Sequence, residues 1–171
     1  IYESESEAKE AMMKLSEECR VTVSRKETKT TNPPFLYDLT LLQRHANALY
    51  GYTAQQTLDT CQKLYEGKLI TYPRTDSNYL TEEMDESTNE LIKHIRKIER
   101  YRKLPENVPN VKRVINNAKV SDHHALLPTI NVTETTFEEG LNEMERNILH
   151  LICSRLMAVS YTHLRAHETP E

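Results

Sequence analysis

Glycine is scarce in this sequence, with three residues in 171, and tryptophan is absent. So few glycines leave no phosphate-cradling loop of the G-x-G-x-x-G or P-loop kind, which excludes the commonest nucleotide-binding motifs. The sequence also has no apolar run long enough to span a membrane or to form the core of a secretory leader. We therefore expect a globular chain that makes no membrane contact.

Metal-binding patterns are also missing. The three cysteines, Cys19, Cys61 and Cys153, are far apart and form no C-x-x-C pair, which indicates reduced thiols and argues against a zinc site. His163 and His167 have the i, i+4 spacing of helical metal ligands, but no third ligand and no intervening glutamate accompany them. We predict no metal site within this chain.

Charge is unevenly distributed. Residues 91–119 contain nine basic and two acidic side chains, so this segment carries +7 and the rest carries −11 within a total of −4. A basic segment of this kind could face phosphates. It could equally be a solvated helix whose basic end complements the helix dipole. The composition leaves both interpretations open.

The first part of the chain predicts a helix and then a strand. Residues 4–18 have a helical stripe of apolar side chains. Residues 20–34 alternate β-branched and charged side chains and end in Pro33 and Pro34, which would stop a strand. We place a domain boundary at the Asn-Pro-Pro stretch. The stripe consists of Ala8, Ala11, Met12 and Leu15.

A pair of helices is predicted next. Asp38 can cap a helix over 39–50, and Gly51 can take the left-handed position after it. Thr53 and Gln56 form a capping-box pattern before a second helix, which ends at Gly67. A strand-like "LITY" follows, so the segment has a helix-turn-helix pattern with a β element after it. The apolar face of the first helix is Leu39, Leu42, Ala46 and Leu49.

Two longer helices complete the predicted elements. Thr81 can cap one that runs to about Lys103, acidic at its start, basic at its end and stopped by the prolines beyond it. A loop or short strand over 120–129 precedes a last helix over roughly 142–158. The buried positions predicted for the first helix are Met84, Leu91, Ile92, Ile95 and Ile98. Those for the second are Met144, Ile148, Leu151, Ile152 and Leu156.

The stretch "LITYPRTDSNYL" at 69–80 is the first candidate for chemistry. A phenol titrates near pH ~10 and needs help to act as a nucleophile, while a guanidinium two residues away can clamp a phosphate and stabilise its charge. Pro73 would hold Tyr72 extended and give its phenol a defined direction. A surface tyrosine and arginine at the end of a strand would show the same pattern as a Tyr72–Arg74 site.

His123 and His124 are the second candidate. Neighbouring side chains point in different directions in most conformations, so the two rings are not expected to share a metal. One imidazole could donate to a phosphate oxygen while the other packs or meets solvent. Two ordinary structural histidines are the alternative.

Four segments in fixed order give these candidates a context. The "LQR" helix, "TLDTCQKLYE", "ITYPRTDS" and "DHHALLPT" closely resemble the type IA DNA topoisomerases, above all the topoisomerase III branch, over about 33–160. In that family the tyrosine of the third segment attacks single-stranded DNA and forms a 5′-phosphotyrosyl bond. The resemblance implies that Tyr72 is the nucleophile, that Arg74 stabilises the scissile phosphate, that His123 lies near it and that Asp76 supports the positioning.

The resemblance also implies a fold and an incomplete enzyme. The fold class is α+β, mainly α, with a winged-helix, CAP-like catalytic-tyrosine domain over 33–160 and the end of a β-rich gate domain over 1–32. The family's TOPRIM domain, which binds Mg²⁺ and supplies Glu and Lys partners, is expected outside this chain, as is the rest of the gate. Residues 161–171 do not match the family, and we expect the tail to be non-native or to come from a truncated reading frame, and assign it no function.

We therefore expect a cytoplasmic, nucleoid-associated and ATP-independent isomerase of type IA that relaxes or unlinks DNA. The start at Ile1 favours a fragment, which we expect to be monomeric and inactive alone. The competing interpretation is a non-catalytic helix-turn-helix module of the same fold, in which Tyr72 is merely structural.

Overall fold

The computed structural model describes residues 4–13, 33–102 and 110–160, which are mainly helical. The chain divides into two units, Ile1–Thr30 with Arg165–Glu171, and Thr31–Leu164. The boundaries predicted at 32 and 160 remain predictions. The α-helices are α1 (Glu5–Met13), α2 (Leu39–Tyr50), α3 (Ala54–Glu66), α4 (Asp85–Ile95), α5 (Glu99–Arg102), α6 (Glu134–Glu138) and α7 (Glu143–Ser160). The 3₁₀ turns are Glu82–Met84, Lys112–Val114 and Asn117–Lys119.

In the first unit the structure describes α1, which lies within the helix predicted over 4–18. The rest of that prediction and the strand before the double proline lie outside the described residues, as do the histidines at 163 and 167 and the tail at 161–171. The gate-domain interpretation of 1–32 therefore stays a prediction.

Helix α2 has the predicted ends. The Asp38 carboxylate accepts a hydrogen bond from the Leu41 N–H at 2.6 Å, and Gly51 has φ of 71°. Leu42 and Ala46 are buried as expected, because α2 packs on α3 and α7. The prediction was wrong for Leu49, which lies in the exposed last turn of the helix and is 64% exposed.

Helix α3 starts at the predicted capping box. The Thr53 N–H donates to Gln56 Oε1 at 2.9 Å, and the Gln56 N–H donates to Thr53 Oγ1 at 3.2 Å. The helix ends before Gly67, and Lys68 then takes the left-handed conformation with φ of 58°. The Lys68 carbonyl accepts hydrogen bonds from Thr129 Oγ1 at 2.6 Å and Asn131 Nδ2 at 2.9 Å. These two bonds tie the end of α3 to a loop 61 residues further along the chain.

The single helix predicted over 81–103 is wrong in one respect: it is broken. A 3₁₀ turn leads into α4, which ends at Ile95, and α5 starts at Glu99. The ladder already tightens to i−3 bonds at Lys97 and Ile98, and the Glu99 N–H then donates to the Glu134 carboxylate at 2.7 Å, 35 residues away. The buried stripe is confirmed at Leu91, Ile92, Ile95 and Ile98, whereas Met84 is half-buried and Thr81 makes no side-chain cap.

Extended structure is limited to isolated pairs. The described residues form three β-bridges, Tyr37 with Leu126, Ile70 with Pro128 and Leu80 with Ile115. The strand-like 69–72 therefore makes a single antiparallel bridge, because the partner segment runs beside it for only a few residues. The mainly α fold class is confirmed, and the winged-helix detail stays a prediction.

Helix α7 lies at the centre of the second unit and packs on α2, α3 and α4. Its predicted inward residues Ile148, Leu151, Ile152 and Leu156 are buried, whereas Met144 is half-buried. The short helix α6, with Phe137 buried, was not predicted. No helix in the described ranges combines the length and the apolar character that crossing a bilayer requires.

Two cysteines lie inside this unit as free thiols. Cys61 and Cys153 are fully buried. Burial raises the pKa of each thiol to about 12, so both are protonated at neutral pH. Cys19 lies outside the described residues.

A polar cluster joins α2, α7 and the segment before α2. Arg155 on α7 donates to the Phe35 carbonyl at 3.2 Å, the Tyr37 hydroxyl at 3.2 Å and His45 Nδ1 at 2.9 Å. Its guanidinium lies 4.2 Å from the centre of the Tyr37 ring. Burial, followed by the charges of Arg155 and Arg44, lowers the pKa of His45, so this cluster is built around a neutral imidazole.

Candidate active site

The candidate site is built on residues 71–80, which we call the Tyr72 loop. At its start the Thr71 N–H donates to the Leu127 carbonyl at 2.9 Å, and the Leu127 N–H returns a bond to Thr71 Oγ1 at 3.0 Å. Near its end the Ala125 N–H donates to the Tyr79 carbonyl at 2.9 Å. The loop is therefore fixed on both sides of Tyr72 to the segment 125–127.

The hydroxyl groups of Thr75 and Ser77 in this loop are structural. Thr75 and Ser77 are buried, with side chains turned away from solvent. Thr75 Oγ1 donates to the His123 carbonyl at 3.1 Å and accepts the Ser77 N–H at 3.1 Å. Ser77 Oγ donates to the Lys119 carbonyl at 2.8 Å. These bonds hold the segment 119–123 against the Tyr72 loop.

That arrangement brings together two of the residues singled out from the sequence. The Tyr72 ring centre lies 4.5 Å from the His123 ring centre, with the planes tilted by 47°. Tyr72 is half-buried and His123 is exposed. The phenol and the imidazole thus share one surface, although 50 residues separate them in the sequence.

Arg74 and Asp76 are both exposed on the same loop. The Asp76 carboxylate accepts a long hydrogen bond of 3.5 Å from Ser121 Oγ. Within the described ranges no hydrogen bond or ion pair engages the Arg74 guanidinium, and none links Arg74 or Asp76 to Tyr72 or His123. The guanidinium is therefore open to an anion from outside.

The second histidine of the pair has a different environment. His124 is half-buried, and its Nδ1 donates to the Ala125 carbonyl at 2.7 Å. Its ring is thus engaged with the backbone while the His123 ring faces Tyr72. Among the described residues, no group of three or more His, Cys, Asp or Glu side chains is arranged to hold a metal ion.

One aromatic neighbour of the site was not predicted from the sequence. Tyr65, in the last turn of α3, meets the Tyr72 ring edge-on at 5.5 Å between ring centres and is 40% exposed. The available signal was its position on the helix that leads directly into the Tyr72 loop. Analysis of apolar periodicity cannot identify it, because Tyr65 does not lie on the buried face.

A family model described as DNA topoisomerase matches residues 1–170. The DNA topoisomerase 3 of Shouchella clausii (strain KSM-K16) is 44% identical over 139 residues, which cover 77% of this chain and 18% of that protein. The DNA topoisomerase 3 of Bacillus subtilis (strain 168) is 36% identical over 152 residues, which cover 85% of this chain and 20% of that protein.

Among solved structures, the full-length topoisomerase I from Thermotoga maritima matches 80% of this chain and 22% of its own, with a TM-score of 0.53 and 24% identity. At that identity the likeness shows the fold alone. The chain spans about a fifth of the length of the curated relatives named above. With a family model that covers nearly every residue, the chain belongs to the type IA DNA topoisomerase family.

Proposed function

We propose that this chain supplies the tyrosine half of a DNA strand-breaking site, with Tyr72 as the nucleophile. The observation that carries the proposal is the contact of the Tyr72 and His123 rings at 4.5 Å, on a loop anchored at both ends. The substrate is single-stranded DNA, and the reaction is a reversible transesterification. The whole enzyme relaxes or unlinks DNA and acts in the cytoplasm, at the nucleoid.

The chemical step exchanges one phosphate ester for another. Tyr72 Oη loses its proton and bonds to the phosphorus, while the bond from phosphorus to the 3′-oxygen breaks and that oxygen leaves as a hydroxyl. The product is a 5′-phosphotyrosyl end and a free 3′-end. Because the new ester conserves the energy of the old one, attack by the 3′-hydroxyl reseals the strand without ATP.

Three other side chains have roles around that phosphate. Arg74, exposed and without a partner in the described part of the chain, binds the phosphate oxygens and stabilises the charge that develops on them. His123, whose ring contacts that of Tyr72, donates to the same phosphate. Asp76, through Ser121, supports the relative placement of the two loops.

The site needs a second half. As the family resemblance implies, we assign Mg²⁺ to the TOPRIM domain of the intact enzyme and derive no step of this chain through it. That domain would also supply the acidic and basic partners of Tyr72. The TOPRIM and gate segments are thus this chain's protein partners, and the chain alone is a monomer that cleaves DNA poorly.

A trapping assay tests the proposal. The chain is combined with a TOPRIM-bearing N-terminal half from a related enzyme, Mg²⁺ and 3′-end-labelled single-stranded DNA, and is then denatured. We expect label on this chain, and its loss in Tyr72→Phe with DNA binding retained. Tyr50→Phe is the matched control, because Tyr50 stacks on Tyr52 rather than on the site and loses the same hydroxyl.

The competing function is a non-catalytic DNA-binding module. If the two halves associate and bind DNA but give no labelled chain, the module is favoured and Tyr72 is structural. A labelled band that persists in Tyr72→Phe would assign the nucleophile to another residue.

A further inference from the structure

Four side chains, of which Tyr79 belongs to the Tyr72 loop, form a continuous row that we call the cation–ring row. The Arg113 guanidinium lies 4.9 Å from the centre of the Phe35 ring, and that ring lies 5.2 Å from the Tyr79 ring. Lys119 Nζ lies 4.7 Å from the Tyr79 ring centre and donates to its hydroxyl at 3.0 Å. The order is therefore cation, ring, ring, cation.

The two cations of the row are exposed and carry no counter-charge. Neither makes an ion pair with any residue that the structure describes, whereas Lys93 and Arg102, from the same basic segment, pair with Glu90 and Glu99. The positive side chains within 91–119 thus include some that are paired with carboxylates and some that are not. Part of their charge is compensated on the surface of α4 and α5, and part is left open at the row.

The row is held in place by its backbone contacts. Arg113 donates to the Pro33 carbonyl, and the Phe35 carbonyl accepts from Arg155 on α7. The Lys119 carbonyl accepts from Ser77 Oγ, which belongs to the Tyr72 loop. A ligand bound to the row therefore lies on a surface fixed to that loop.

The contacts also determine what the row can bind. A guanidinium stacked on a ring is ordered before a ligand arrives, and the N–H groups of Arg113 that do not donate to Pro33 remain available. Each ring already has a cation and another ring against it, so the row offers little ring surface for a stacked base. Two fixed, uncompensated cations with little base-stacking surface suit the phosphates of a nucleic-acid backbone.

We propose that the cation–ring row binds the sugar–phosphate backbone of the single-stranded DNA that flanks the bond attacked by Tyr72. The inference rests on the proposed function, which supplies the DNA. Binding is independent of sequence, because the row contacts phosphates rather than base edges. The row does not include Tyr72, Arg74 or His123 and takes no part in the chemical step.

The test measures the salt dependence of binding a fluorescein-labelled oligothymidylate by fluorescence anisotropy. Arg113→Gln/Lys119→Gln is compared with Lys93→Gln/Arg102→Gln, which removes the same charge from positions paired with glutamates. We expect the row variant to reduce the salt slope by about 1.4, at about 0.7 for each lost phosphate contact on a single strand. The control slope should stay close to that of the unmodified chain.

A slope that is unchanged in the row variant, or reduced equally in the control, would overturn the inference. Arg113→Lys is the second variant, because it keeps the charge but loses the planar stack, so we expect weaker binding at unchanged net charge. Failure of the unmodified chain to bind the oligonucleotide at low salt would also overturn the inference. The trapping assay judges Tyr72 separately, so a row that fails with trapping intact leaves the proposed function standing.

Discussion

Lys68 has a backbone conformation that side chains with a Cβ rarely adopt. Its φ of 58° costs about 1 kcal/mol for a residue other than glycine, and its side chain is exposed. We expect Lys68→Gly to raise the free energy of unfolding by up to about 1 kcal/mol, net of the entropy that glycine adds to the unfolded chain. Urea denaturation measures the change.

Lys63→Gly is the matched control, because it makes the same replacement within α3, at an exposed position. There the glycine should lower the free energy of unfolding by about 1 kcal/mol. Two changes of the same sign would contradict the explanation from backbone conformation.

Thr75 bonds the Tyr72 loop to the backbone of His123. Thr75→Val keeps the shape but removes the hydroxyl that bonds the His123 carbonyl and the Ser77 N–H, at a cost of about 1–3 kcal/mol in stability. With His123 displaced, we expect about tenfold less covalent adduct in the trapping assay. The His123 ring protons should also shift in NMR spectra, because they lose the ring current of Tyr72.

Thr60→Val is the control for that loss. Its hydroxyl is also buried but bonds the Gln56 carbonyl within its own helix, so adduct formation and the His123 signals should be unchanged. An adduct yield that falls equally in both variants would mean that Thr75 acts only through stability.

The capped first turn of helix α2 is hydrogen-bonded to the Tyr72 loop. Its N-cap Asp38 accepts from the Leu41 N–H, and the Leu39 N–H donates to the Thr75 carbonyl at 3.0 Å, so the first turn of the helix bonds the Tyr72 loop. We expect Asp38→Ala to lower the free energy of unfolding by about 1 kcal/mol. Hydrogen exchange of the Leu39 amide should quicken, because fraying of that turn releases it.

Asp59→Ala is the control for Asp38→Ala when the free energy of unfolding is measured by denaturant titration. Asp59 is an exposed mid-helix residue of α3 that accepts a hydrogen bond only from the Gln55 side chain, so its replacement should change stability by less than about 0.5 kcal/mol. Equal effects of the two replacements would rule out capping as the cause.

The sequence predicted some elements better than others, because some depend on interactions between residues close in the sequence and others on residues far apart. The ends of α2 and α3 were predictable because Asp38, Gly51 and the Thr53–Gln56 box act within four residues. The break after α4 was not, because the amide of Glu99, which starts α5, bonds a carboxylate 35 residues away. The contact of Tyr72 with His123 also depends on the tertiary fold. Local chemistry identified both rings as candidates, and only the family resemblance placed them in one site.

For the second unit as a whole, pH should act through two histidines. Burial lowers the pKa of His45, beside Arg155 and Arg44, and of His150, whose Nδ1 meets the Tyr101 hydroxyl at 2.8 Å with Arg100 nearby. The unfolded chain then binds protons first as pH falls below the ordinary value of 6.5. We expect the free energy of unfolding to fall over that range and to level off below the folded-state pKa values.

Urea titrations at a series of pH values measure this dependence. His150→Gln should flatten it, because one of the two groups with a lowered pKa is gone. His124→Gln is the comparison variant, since its ring bonds the adjacent backbone carbonyl. A steeper fall in His150→Gln, or stability that rises on acidification, would contradict the assignment.

The anchoring of the Tyr72 loop has a mechanical consequence. A DNA end attached to Tyr72 would pull on a loop bonded at Thr71 to Leu127 and at Tyr79 to Ala125. The third attachment, from Leu39 to Thr75, leads into α2, which packs on α7. The force would therefore be transmitted to the packed helices. The attached DNA end would move together with those helices and would have little freedom to move relative to them.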